Sequence, residues 1–237
     1  TITATVSEGD MATLAGITET TNALSIAVTD ATVSATALTA LDAKTTGVIT
    51  ATISIGASAT LAGLNGTGNA YTVTVTDTSA TASELTSIDA ATTVAVQAGN
   101  VTTLSGTATE VKAAYTADAA GTIVLDGDEA VSVSGSVSVA DANTIAGKTS
   151  GVVTATIAGS YSDLTPLTES TNAYSFSITD PITVDQANTL AGKTSSLAVT
   201  IPYWGYSKTQ KNRLPVTFTV MASSIWLLSN LSFSRVA

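Results

Sequence analysis

The chain has 237 residues, of which 44% are hydrophobic but only 5% aromatic and 11% charged, against roughly 25% charged in an ordinary domain. Much of the apolar content is alanine, which fills a narrow core better than a wide one and favours an elongated array over a large sphere. A net charge of −10 from 18 acidic and 8 basic side chains repels a phosphate backbone and argues against nucleic acid as a partner. The absence of Cys and His removes disulfides, thiolate and typical zinc sites, and most nucleophile–base pairs, so no catalysis is expected.

Thr1 stands inside a repeat rather than before one, so the chain reads as a segment of something longer, and the lack of a leader within it says nothing about export. The first phrase is Ile2 to Val6, Ile-Thr-Ala-Thr-Val, which returns at Ile49 to Ile53 and Val153 to Ile157. A second phrase, Asn22 to Asp30, returns at Asn69 to Asp77 and Asn172 to Asp180. Tyr71, Val73 and Val75 alternate with Thr72, Thr74 and Thr76, the period of a strand with one apolar face. Thr3 to Thr50 and Asn22 to Asn69 both span 47 residues. The two phrases interleave, so the unit is about 23 residues, in the range of solenoid repeats.

After each strand come apolar residues three apart: Leu14 and Ile17, Leu38 and Leu41, Leu61 and Leu64, Leu85 and Ile88, Leu164 and Leu167. That spacing fits one or two helical turns against a sheet. In the segments opening at Asp141 and Asp185 the Asp is the expected N-cap, and Gly147 or Gly192 the expected C′ residue. The middle is less regular: a strand over Val94 to Ala98, a longer helix over Thr107 to Ala117, and strands over Ile123 to Leu125 and Val131 to Val139. Asp126-Gly-Asp-Glu129 lies between the last two.

Beyond Ile201 the composition changes. Lys208, Lys211, Arg213, Arg235 and both Trp fall there, while the last acidic residue is Asp185. Residues 202–237 read as a C-terminal cap or tail, which keeps a last coil from exposing an open edge. Leu214 to Ser234 is uncharged and long enough to span a bilayer, but Pro215, Asn230 and the many Ser and Thr argue against it. Pro215 to Val220 reads better as a strand.

Two features could carry binding. Thr50, Thr52, Thr72, Thr74, Thr76, Thr154 and Thr156 face outward on adjacent strands about 4.8 Å apart, as ranks of hydroxyls and methyls. Such ladders resemble the flat face of solenoid ice-binding proteins, although Ala27, Ala95, Gln97 and Ala198 interrupt them; threonine's β-propensity accounts for them equally. Asp30, Asp77 and Asp180, each ending a phrase, and Asp126 and Asp128 in the irregular middle are oxygen ligands of the kind calcium takes. Neither the Gly-rich nonapeptide of calcium-binding β-rolls nor an EF-hand loop is present, and helix capping or turn formation explains these Asp as well. Calcium is the one cofactor these residues suggest.

The phrases Val139 to Ile157, Val-Ala-Asp-Ala-Asn-Thr-Ile-Ala-Gly-Lys-Thr-Ser-Gly-Val-Val-Thr-Ala-Thr-Ile, and Thr171 to Asp180 resemble the Ala/Thr/Val-rich repeats of very large secreted or cell-surface bacterial proteins, cyanobacterial ones in particular. The resemblance covers residues 1–201 and implies a structural or adhesive role outside the cell or at its surface, with cell-surface or self-association partners; it transfers no catalytic residue. The expected fold is an α/β repeat solenoid with parallel strands, short helices on the opposite wall and about 23 residues per coil; an all-β right-handed solenoid is the alternative. The expected organisation is a repeat array over 1–201 and a cap or tail over 202–237. The expected function is a structural or adhesive segment, the alternative a ligand-binding array using the Thr face for ice or the Asp turns for calcium.

Overall fold

The structure, a computed structural model, describes residues 1–54 and 56–195 in full, and the backbone of the strands 198–204 and 215–220. It is α/β, with mostly parallel sheets and short helices, and its described strands form no closed barrel. The chain divides into two compact units, Thr1–Glu129 and Ala130–Ala237.

In the first unit strands and helices alternate: β1 (Thr3–Thr5), α1 (Met11–Leu14), β2 (Ala23–Ala27), α2 (Ala35–Asp42), β3 (Ile49–Thr52), α3 (Ser58–Leu61) and β4 (Ala70–Thr72). The four strands form one parallel sheet in sequence order. Parallel neighbours require a crossover, and the helix-bearing segments supply it. Then come β5 (Ser79–Thr81), α4 (Ala82–Ala90), β6 (Val96–Gln97), β7 (Thr103–Thr107), α5 (Ala108–Ala120) and β8 (Ile123–Val124), with β5 parallel to β7 and β6 to β8. The second unit contains β9 (Ala130–Val137), α6 (Val139–Ala146), β10 (Val153–Gly159), α7 (Tyr161–Leu164), β11 (Ala173–Ile178), α8 (Val184–Ala191), β12 (Ala198–Trp204) and β13 (Pro215–Val220). There β9 to β12 run parallel in order, and β13 pairs antiparallel with β12.

The expected strand face is present. Tyr71, Val73, Val75, Ile49, Ala51, Ile53, Val153, Ala155 and Ile157 are all buried, and the residues between them face out. On the helices Leu14, Leu38, Leu41, Leu61, Leu85, Ile88 and Leu164 are buried as well. Each such side chain contributes about 1.5–3 kcal/mol when fully removed from water. Ile17 is only half-buried, the one member of the expected apolar pairs that does not reach the core.

Helix lengths vary: α1, α3 and α7 have four residues each, α2, α6 and α8 have eight, and α4 has nine. One turn fixes several dihedrals for one hydrogen bond and is unstable alone. The four-residue helices therefore depend on groups that close their ends. Two expected caps fall elsewhere: α6 starts from Ser138 and α8 from Thr183, not from Asp141 and Asp185. Asp141 and Asp185 sit in the first turn instead, where a carboxylate is favoured by the helix dipole. Gly147 and Gly192 are the C-cap residues themselves, with φ −75° and −71°, so neither helix ends in a left-handed glycine.

The irregular middle has two local causes. α5, the longest described helix at 13 residues, begins at a Thr107–Glu110 capping box and ends at left-handed Gly121. In β9, Ser132 pairs with Thr154 and Ser136 with Thr156, so β9 carries two extra residues there. Gly135 at φ +77° makes that bulge sterically accessible.

β12 runs across position 201, where the composition changes. Of the uncharged stretch 214–234, only the 215–220 backbone is described, as β13; the rest of it, and the basic residues of the tail, lie outside the described residues. No helix among the described residues is long and apolar enough to cross a membrane.

Candidate functional site

The polar residues that recur in the repeated phrases bond mostly to backbone about 20 residues earlier in the chain. Asn22, Asn69 and Asn172 each accept, through Oδ1, the N–H that opens the strand before: Ile2, Ile49 and Val153, all at 2.8 Å. About 20 residues further on, a threonine reaches back in the same way. Thr45 Oγ1 accepts from Leu24 N, Thr92 from Tyr71 N and Thr194 from Tyr174 N, at 2.8, 2.9 and 2.8 Å. Each hydroxyl also donates to the carbonyl of that residue. All three threonines are buried, as are Asn69 and Asn172.

The aspartates that end the phrases do the same for helices. Asp30 accepts from Met11 N at 2.8 Å, Asp77 from Ser58 N at 2.8 Å, and Asp180 from Tyr161 N at 3.0 Å. The recipients are the first residues of α1, α3 and α7, the three four-residue helices. Each Asp thus caps a helix 19 residues earlier, satisfying an orphan N–H and placing negative charge at the positive helix end. The residue before α3, Ala57, has no side-chain cap of its own, whereas Asp10 and Ser160 cap α1 and α7 locally. At the other helix ends, Lys44 Nζ donates to Ala15 O and Ile17 O, and Lys193 Nζ to Leu167 O.

Two carboxylates converge at Ser58: its Oγ lies 3.2 Å from Asp77 Oδ2 and 2.9 Å from Glu84 Oε2. This serine is buried, and both acids are engaged by backbone, Glu84 accepting from Thr81 N at 3.0 Å within the α4 capping box. The Thr81 N–H holds the Glu84 carboxyl below its ordinary range, against burial and the Asp77 charge. With no basic group among these contacts, the arrangement is that of two caps. Hydrogen bonds also lower Asp10, through Thr13, and Asp163, through Ser160, and the Thr107 backbone N–H lowers Glu110.

Asp126 and Asp128 are exposed in the loop after β8, and no group of three or more acidic side chains able to hold a metal ion occurs among the described residues. Glu129, the last residue of the first unit, is fully buried and accepts from Tyr115 OH at 3.2 Å and Gly127 N at 2.9 Å.

On the outer face, register decides which hydroxyls meet. Thr52 pairs with Thr72, but Thr50 lies between Ala27 and Ala70. Thr74 bridges to Gln97, and exposed Thr76 has its N–H bonded to Gly56 O at 3.3 Å. Thr154 lies between Ser132 and Ala173, and Thr156 between Ser136 and Ser175. The face brings together short mixed runs of Thr, Ser and Ala in place of continuous threonine ranks.

A shallow apolar groove of about 440 Å³ lies between α1 and α2, lined by Met11, Ala12, Ala15, Ala37, Ala40 and Leu41 with Lys44 beside them. The Lys44 ammonium is already committed to two carbonyls, so the groove lacks the convergent polar groups that orient a small ligand. Comparisons with protein-family models, curated proteins and solved structures find no match for the chain.

Proposed function

We propose that the chain is a non-catalytic structural or adhesive segment of a large extracellular or cell-surface protein, built as a solenoid of about 23 residues per coil. The observation that carries this is the use of the repeated polar residues. Asn, Thr, Asp and Lys at fixed repeat positions bond one coil to the previous one, where a binding or catalytic array would turn such groups outward. Each coil then covers its neighbour, and stability grows by nearest-neighbour interfaces. Right-handed connections are expected for parallel strands joined by helices. The acidic, Ser/Thr-rich exterior keeps such a segment soluble and resists indiscriminate sticking, leaving contact to cell-surface or self-association partners.

The Thr face supports a second reading, adsorption to a regular surface such as ice, carried by the Thr52–Thr72 pair and the Ser136–Thr156–Ser175 run. One experiment separates the two. Duplicating the 47-residue double coil Thr3 to Ile49 lengthens a spacer in small-angle scattering in proportion to the added coils, with no thermal hysteresis in either form. Thermal hysteresis that rises with the duplication establishes the ice reading. A duplicated chain that scatters as a sphere removes the spacer.

A further inference from the structure

The sequence contains a single Asn-Gly step, Asn65-Gly66, in the loop that joins α3 to Asn69. The Asn65 side chain is exposed and has no hydrogen-bond partner among the described residues. Gly66 takes φ +90°, a conformation glycine adopts freely, and its N–H donates to nothing among the described residues. The Asp42 carboxylate packs against this glycine so closely that an added Cβ would collide with it.

From this geometry we infer that Asn65–Gly66 is a site of spontaneous covalent modification, in which Asn65 deamidates through a succinimide. The Gly66 nitrogen loses its proton and attacks Asn65 Cγ. The N–Cγ bond forms, the Cγ–Nδ2 bond breaks, and the amide leaves as ammonia. Water then opens the ring at either carbonyl. Opening at one leaves an ordinary aspartate in place of the asparagine; opening at the other gives an isoaspartyl link that lengthens the backbone by one carbon. No oxidant or enzyme is required. A free N–H, a glycine with no Cβ to obstruct closure and an untethered Asn side chain are the three conditions this step needs.

The rest of the chain supplies internal controls. Asp126-Gly127 also has a left-handed glycine, φ +76°, but Gly127 N donates to Glu129 Oε1 at 2.9 Å, which holds it away from attack. Asn69 and Asn172 precede Ala and have both side-chain atoms engaged. Asn143 and Asn188 lie within helices, where the backbone nitrogen cannot reach the side-chain carbon.

The product changes the coil junction. A new carboxylate enters the loop that contacts Asp42, whose Oδ1 holds Asn69 Nδ2 at 2.6 Å, and Asn69 in turn closes onto Ile49 N. In a long-lived segment the reaction therefore marks age at one defined seam.

The test is peptide mapping of the folded chain incubated at neutral and mildly alkaline pH. The expected result is conversion confined to the Asn65 peptide, yielding isoaspartate and aspartate, faster at the higher pH, with the Asp126 peptide unchanged. Asn65→Gln, which needs a larger ring, should slow conversion at this position by roughly tenfold or more while leaving Gly66 in place. Gly66→Ala meets Asp42, so Asn65→Gln is the variant that decides should Gly66→Ala fail to fold. An Asn65 that stays intact in the folded chain while reacting in the urea-unfolded chain overturns the proposal, as does equal conversion at Asn69 or Asn172.

Discussion

The junctions at Asn69–Thr92 and at Asn172–Thr194 begin from nearly the same words and close differently. In both, the Asn Oδ1 takes a strand N–H and a buried Thr takes the Tyr N–H. In the second unit Asn172 Nδ2 donates to Tyr174 OH at 3.1 Å. In the first unit Asn69 Nδ2 turns to Asp42 Oδ1 instead, and the buried Tyr71 hydroxyl has no partner. The difference lies earlier in the sequence: by position in the repeated phrases Ala146 stands where Asp42 stands. A repeat thus keeps its backbone bonds while neighbouring side chains redistribute the remaining donor.

The largest expected effect removes what the junctions share. Thr92→Val orphans the buried Tyr71 N–H and removes the acceptor of the more exposed Val94 N–H and should cost about 1–3 kcal/mol in denaturant unfolding, the range for one buried orphan. Thr194→Val removes the acceptor of the Tyr174 N–H in the same way and should cost a similar amount, and a loss below about 0.5 kcal/mol at both sites would show that the hydroxyls are not structural.

A smaller effect separates the junctions. Tyr174→Phe removes a made hydrogen bond and should cost about 1 kcal/mol, whereas Tyr71→Phe removes an unpartnered hydroxyl and should be neutral or stabilising. Asp42→Ala frees Asn69 Nδ2 to turn to Tyr71, so in that background Tyr71→Phe should begin to cost what Tyr174→Phe costs. A double-mutant cycle with no coupling between positions 42 and 71 would break the comparison.

The smallest effects are those of pH. Asp10, Glu84, Glu110 and Asp163 have folded values held below their ordinary ones, so the unfolded chain binds protons first as pH falls. Their stabilisation is complete above roughly pH 5 and is lost as pH drops through the carboxylate range. Burial raises the phenols of Tyr71 and Tyr174; the unfolded chain then ionises first, and stability declines above about pH 10. Unfolding titrations in urea should show a plateau between these limits, and a slope near neutrality would contradict these assignments.

Much of the fold was legible because strand alternation and three-residue apolar spacing are local signals. Tyr71, Val73 and Val75 face inward for the reason their spacing gives, and the Thr107 start of α5 follows from its capping box. The polar positions were harder, because their partners lie about 20 residues away. Asp77 reads locally as the start of its own turn, yet its bond is to Ser58. Thr45 and Thr92 recur at the same 47-residue spacing as the phrases, the one available hint that they serve the repeat. No local rule distinguishes a buried bridging threonine from one on an exposed strand. The outer face was legible as exposed but not as ranks, since Thr50 meets alanines only once the register is known.

The most direct measurement compares melting temperatures of the parent chain and Asp77→Ala, each with calcium and with magnesium at equal ionic strength. If Asp77 serves as the side-chain cap of α3, the variant loses about 1–2 kcal/mol, more than Asp30→Ala or Asp180→Ala, and calcium shifts neither protein relative to magnesium. A calcium-specific rise in the parent that disappears in Asp77→Ala would contradict the assignment of the repeated aspartates to capping the helices 19 residues earlier.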